Sequence, residues 1–148
     1  MDQTYAARIL LECNAAKTAI AAGRVTTEFL DPIQRLHDDH MSAVARHTTE
    51  GLAGSIRLDR QFHEFIVSLT ENSLISGWHR IAIRQSQMIR TYSLASYDGR
   101  RLRGEHLAIV AGLSSRNGAA TLTALRFHLY ASLEKLLSHL PEELPTRQ

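Results

Sequence analysis

One cysteine, three prolines and eight glycines in 148 residues leave this sequence few cross-links and few breaks. A lone Cys13 can form neither an intrachain disulfide nor a multi-cysteine zinc site, which suits a reducing compartment, the cytoplasm by default. No apolar run approaches the ~20 residues of a membrane span. The N-terminus, interrupted by Asp2 and Arg8, lacks the apolar stretch of a secretion signal. Excess charge of one sign is missing too: 17 Lys+Arg face 15 Asp+Glu, and arginine supplies fifteen of the cations. That balance does not by itself mark a nucleic-acid surface. Hydrophobic residues make up 44% of the chain, enough for one domain with a sizeable core, spanning 1–148.

Between the few breaks, apolar residues recur at three and four positions rather than alternating, which predicts an all-α chain. The first helix is expected from about Thr4 to Ala22, stopped by Gly23. The second covers about Thr26 to His47, with its start at either Thr26 or Asp31 because Asp31-Pro32 lies near it. Gly51 to Gly54 reads as a break, followed by helices from about Ser55 to Leu69 and from Ser73 to Tyr92. The triplet Tyr97-Asp98-Gly99 closes a turn that begins at Ser93. A fifth helix then runs from about Arg100 to Ser114, and a sixth reaches Ser138 after the Asn117-Gly118 turn. The bundle thus spans about 4–138, and residues 139–148, with Pro141 and Pro145, form a solvated tail.

Polar residues that interrupt the apolar stripes carry the chemistry. In the third helix Ile56, Asp59, His63 and Ile66 share a face, and i,i+4 spacing stacks Asp59 one turn from His63. Leu102, His106, Ile109 and Leu113 form a stripe in the fifth helix. In the sixth, Leu125, His128, Leu129, Ser132 and Leu136 form another. His106 lies eleven residues before Asn117 and His128 eleven after it. Both therefore stand about 16 Å from the turn of an antiparallel hairpin, level with each other. Three histidines and a carboxylate are costly to bury unpaired. A shared cation would satisfy them, and so would a set of hydrogen-bonded core imidazoles.

Other motifs are weaker. His63-Glu64 opens like the zinc-protease pattern H-E-x-x-H, but Val67 replaces the second histidine. None of the nine glutamates has a histidine three residues on, which excludes the di-iron signature. His37-Asp-Asp-His40 reads as a solvated helix face with polar flanks. Arg100, Arg101 and Arg103 read as surface cations or contacts to another domain. His47, His79 and His139 show no partner pattern, and Cys13 reads as a small buried hydrophobe.

The strings Asp59-Arg-Gln-Phe-His63, Glu71-Asn72-Ser-Leu, Glu105-His106-Leu-Ala-Ile and Arg126-Phe-His128-Leu129, with Arg8-Ile-Leu-Leu-Glu12 in the first helix, resemble the FCD domain. That domain is the C-terminal effector-binding part of FadR-type GntR transcriptional regulators, and the resemblance runs from about Tyr5 to Leu137. It implies a single antiparallel bundle of about six helices with an internal pocket. It also implies a divalent metal held by Asp59, His63, His106 and His128, and an effector contact from Arg8, whose plainer role is an ion pair with Glu12. Such regulators carry a winged helix-turn-helix domain ahead of the bundle. These 148 residues contain none, so DNA would be reached only through an N-terminal domain not present in this chain.

The expected function is that of an effector-sensing, dimerising domain that captures a small carboxylate through the metal. An N₃O donor set leaves one or two positions open on a five- or six-coordinate ion, and Zn²⁺ suits it, with Ni²⁺ or Mn²⁺ as alternatives. The competing expectation is a metal-dependent hydrolase-like enzyme using the same site. It needs a general base, and the candidates Glu64 and Glu105 are turned about 100° from their neighbouring histidines. No catalytic residue is therefore assigned.

Overall fold

The computed structural model describes residues 2–90 and 98–139, and these form six α-helices. They are α1 (Asp2–Ala21), α2 (Thr27–Ala45), α3 (Thr49–Ser68), α4 (Ser73–Arg90), α5 (Gly99–Ser114) and α6 (Gly118–Leu137). α1 packs on α3, α4 and α6, while α2 packs on α3 and α5, and α5 pairs with α6. The expected extension of the fourth helix to Tyr92, the turn from Ser93 to Tyr97 and the tail beyond His139 lie outside the described residues.

Short polar side chains set the helix starts by satisfying backbone N–H groups that the first turn leaves unbonded. Asn117 accepts from the Ala120 amide, Asp98 from those of Arg100 and Arg101, and Asn72 from those of Leu74 and Ile75. For α2 the start is Thr26, which stands as the N-cap, so that Pro32 falls inside the helix.

The Gly51 to Gly54 segment is not a break. Thr48 caps α3 by accepting from the Gly51 amide at 3.0 Å, and the helix runs through both glycines. The reason for glycine is contact with α2: a Cβ on Gly51 would lie 2.8 Å from the Ala43 carbonyl oxygen. The α5–α6 hairpin uses the same device, since a Cβ on Gly112 would lie 2.6 Å from Thr121 Oγ1 and 2.9 Å from Thr121 Cα. Gly112→Ala should therefore force the hairpin apart and cost about 1–3 kcal/mol. Chemical denaturation checks this, and an unshifted midpoint would mean that the hairpin opens freely.

The core is layered along the helix axes. At one end Cys13, Ala16, Ala19, Phe29, Ile66 and Leu113 belong to a large apolar cluster, where Phe29 stacks on Phe65 at 4.8 Å. At the other end two smaller clusters, Tyr5 with Leu129 and Leu136, and Met41 with Val44 and Leu102, close the bundle. Between these apolar layers, all six helices turn polar residues inward.

Candidate metal centre

That middle layer contains Asp59 and His63 from α3, His106 from α5 and His128 from α6, all buried. One ligand atom from each lies within 4.8 Å of the other three. The structure thus brings together the four residues singled out from the helical stripes. Asp59 Oδ1 lies 3.6 Å from His63 Nε2 and 3.4 Å from His106 Nε2. His63 Nε2 and His128 Nε2 are 3.2 Å apart. The ring of His106 stacks on Phe62 with centroids 4.4 Å apart, which fixes its plane against an apolar wall.

The outer nitrogens of two of these rings are committed. His63 Nδ1 meets Glu12 Oε2 at 2.7 Å, and His128 Nδ1 meets Glu105 Oε2 at 2.7 Å. An ionised carboxylate only accepts, so each Nδ1 carries the proton. In the neutral rings both Nε2 atoms are then bare, and two lone pairs face each other at 3.2 Å beside a carboxylate. Such an arrangement calls for a positive charge between them. A proton can supply it: burial disfavours a charged His63, but Glu12 and Asp59 outweigh that and raise its pKa. A metal ion supplies it more fully, because three imidazole nitrogens and one carboxylate oxygen are donors that divalent transition ions accept.

Charge around the site points the same way. With the imidazoles neutral, the carboxylates of Glu12, Asp59 and Glu105 outnumber the guanidiniums of Arg8 and Arg101 by one. Burial works against the charge on Glu12, yet His63 and Arg8 hold its carboxyl well below the usual carboxylate range. His106 has no such close anion on its outer side, and burial pushes it down to about 4 despite the pull of Asp59. Its imidazole is thereby held in the neutral form, the form that can offer a lone pair to a metal.

Several neighbours were not legible from sequence. His37 and His40 do not lie on a solvated face: they are 2% and 0% exposed, and His40 Nδ1 sits 3.3 Å from His106 Nδ1. Burial lowers the pKa of both, that of His40 to about 3. They occupy the Phe29, Ile33, Val44 stripe of α2, and this spacing was the signal that could have placed them. His79 is not partnerless either, since its Nε2 donates to Glu12 Oε1 at 2.9 Å. Glu12 falls on the Tyr5, Arg8, Ala16, Ala19 side of α1, where a charge on an apolar stripe was the clue. Glu105 is turned away from His106 as expected, but that direction leads to His128 rather than to solvent.

Arg8 is fully buried, with Nε on Glu12 Oε1 at 2.9 Å and Nη1 on Ser86 Oγ at 3.2 Å. The ion pair with Glu12 is present, and Nη2 has no hydrogen-bond partner among the described residues. Ser132 Oγ, one turn beyond His128 on α6, is likewise buried without a hydrogen-bond partner among the described residues.

The family model of the FCD domain matches residues 3–131. Among solved structures the chain is similar to E. coli McbR/YncC, with a TM-score of 0.76 and 17% identity, a likeness of fold. The match covers 93% of this chain and 64% of that one, so the chain spans less than two thirds of that structure's length. No curated protein matches the chain.

Proposed function

Because the chain belongs to the FCD domain family, we propose that it senses a small organic acid for a GntR-type transcriptional regulator. Asp59, His63, His106 and His128 hold a divalent ion, Zn²⁺ in the first instance and Ni²⁺ or Mn²⁺ as alternatives. When bound, the ion supplies a Lewis-acid anchor for a carboxylate oxygen. The observation that carries this reading is the convergence of four buried donor atoms within 4.8 Å. The facing bare nitrogens of His63 and His128 strengthen it.

A carboxylate is the fitting effector on charge. With the imidazoles neutral, as metal ligation requires, the site carries one excess negative charge, a divalent ion reverses the sign, and one carboxylate restores neutrality. Arg8 is the residue for the effector's second anionic end, because its buried Nη2 has no acceptor among the described residues. Glu105 is held between His128 and Arg101, which supports sensing over water activation. Partners are a second copy, as a two-fold protein matches a palindromic operator, and DNA through a separate N-terminal domain. No helix among the described residues is long and apolar enough to cross a membrane; a cytoplasmic location accords with the regulatory role.

An effector moves a regulator only through its unequal affinity for two conformations. Here the metal ligands come from α3, α5 and α6, while Glu12 on α1, His40 on α2 and His79 on α4 complete the layer. Every helix is therefore referred to one centre, and α1, where an N-terminal domain would attach, carries the change outward. Calorimetric titration of candidate carboxylates into metal-loaded and stripped protein tests the scheme. Linkage requires metal removal to weaken the effector by the same factor by which the effector tightens the metal. A confirmed effector that binds both forms equally would reject metal anchoring.

A further inference from the structure

We infer that Glu12 is the positioning residue of the metal centre: oriented by Arg8 and His79, it locks His63 in the tautomer whose Nε2 is a metal ligand. The inference rests on the metal-binding reading above and adds to it the residue that prepares one ligand. Its basis is a saturated set of donors around one carboxylate. Oε1 accepts from Arg8 Nε and from His79 Nε2, both at 2.9 Å, and Oε2 accepts from His63 Nδ1 at 2.7 Å. Arg8 is itself placed by Ser86 on α4, so donors from α1 and α4 aim the carboxylate at a ring on α3. All four side chains are at least 99% buried, and no solvent competes to bond the other tautomer.

This geometry requires both carboxylate oxygens to accept. An amide of the same shape cannot comply. If Gln turned its NH₂ toward His63, it would donate to Nδ1 and drive the ring proton to Nε2, the ligating atom. If it turned the NH₂ away, that group would face two N–H donors, those of Arg8 and His79. Glu12→Gln thus changes the hydrogen-bond logic while leaving volume unchanged.

The test titrates Zn²⁺ in competition with a chromophoric chelator into the full wild-type chain and into Glu12→Gln, alongside ¹⁵N-imidazole NMR of the Zn²⁺-loaded wild type. Expected are a loss of affinity of about 10- to 100-fold in the variant and, in the loaded wild type, a His63 that is protonated at Nδ1 and coordinated through Nε2. A merely structural Glu12 would change stability without setting the tautomer. Wild type that binds Zn²⁺ while the variant binds equally well overturns the positioning role alone, and wild type that takes up no Zn²⁺ overturns the metal reading with it. The NMR result stands even if the variant fails to fold: a His63 protonated at Nε2 refutes the inference by itself.

Discussion

Replacing His106 or His128 with Ala should reduce Zn²⁺ affinity by several hundred-fold, as read from competition with a chelator of known affinity. The magnitude follows from dividing the ~10–16 kcal/mol of a typical four-ligand zinc site among its ligands. Each ring presents Nε2 to the shared centre, His106 backed by Phe62 and His128 by Glu105. His37→Ala is the control. It removes a buried imidazole whose ring lies edge-on to His106 at 6.0 Å but which gives the centre no donor atom, so its effect should stay within a few-fold. His40→Ala should fall between them, because His40 bonds the outer nitrogen of His106. Equal losses from all four substitutions would remove the basis for assigning the ligands.

Stripping the metal should lower the thermal midpoint by about 10 °C. An ion that binds only the folded chain contributes RT ln(1 + [L]/Kd), or ~4 kcal/mol when free metal is a thousandfold above Kd. In a domain of this size each kcal/mol moves the midpoint by about 2–4 °C. The physical source is visible in the middle layer: without a cation, Asp59 and the bare nitrogens of His63 and His128 crowd one another between two apolar layers. Differential scanning calorimetry with and without chelator, followed by metal re-addition, reads the shift. If the two midpoints coincide, the four residues form a polar core and no ion contributes to the native state. Restoration by Zn²⁺ but not by Mg²⁺ would match a nitrogen-rich donor set.

The two halves of the cluster were legible in the sequence because each is local, while their joining into one site was implied by the resemblance and by the cost of burying both. Asp59 and His63 are one helical turn apart, and a tight Asn117-Gly118 turn sets His106 and His128 level by simple counting. The ring centroids of that pair are 4.6 Å apart. The surrounding shell was illegible for the opposite reason. Glu12 reaches His63 across 51 positions and His79 across 67, and nothing local distinguishes a buried helix charge from a solvated one. His37 and His40 show how far that ambiguity can mislead. Asp38 and Asp39 beside them are polar and exposed, yet the two histidines turn onto the opposite, buried side. The Gly51 to Gly54 segment misled as well, since glycine serves as readily for close helix contact, as at Gly51, as for a break.

Sequence alone therefore determined the helical class, most of the helix limits and the two local pairs, Asp59 with His63 and His106 with His128, since periodicity, capping residues and turn chemistry act within a few residues of chain. Only the tertiary structure decided that the pairs meet within 4.8 Å, what surrounds them and what charge the site carries. Which carboxylate faces which imidazole depends on how α1, α2 and α4 pack against α3, α5 and α6. That packing is settled by the fit of whole helix faces, through contacts such as Gly51 on Ala43 and Gly112 on Thr121, and no single stretch of sequence contains it.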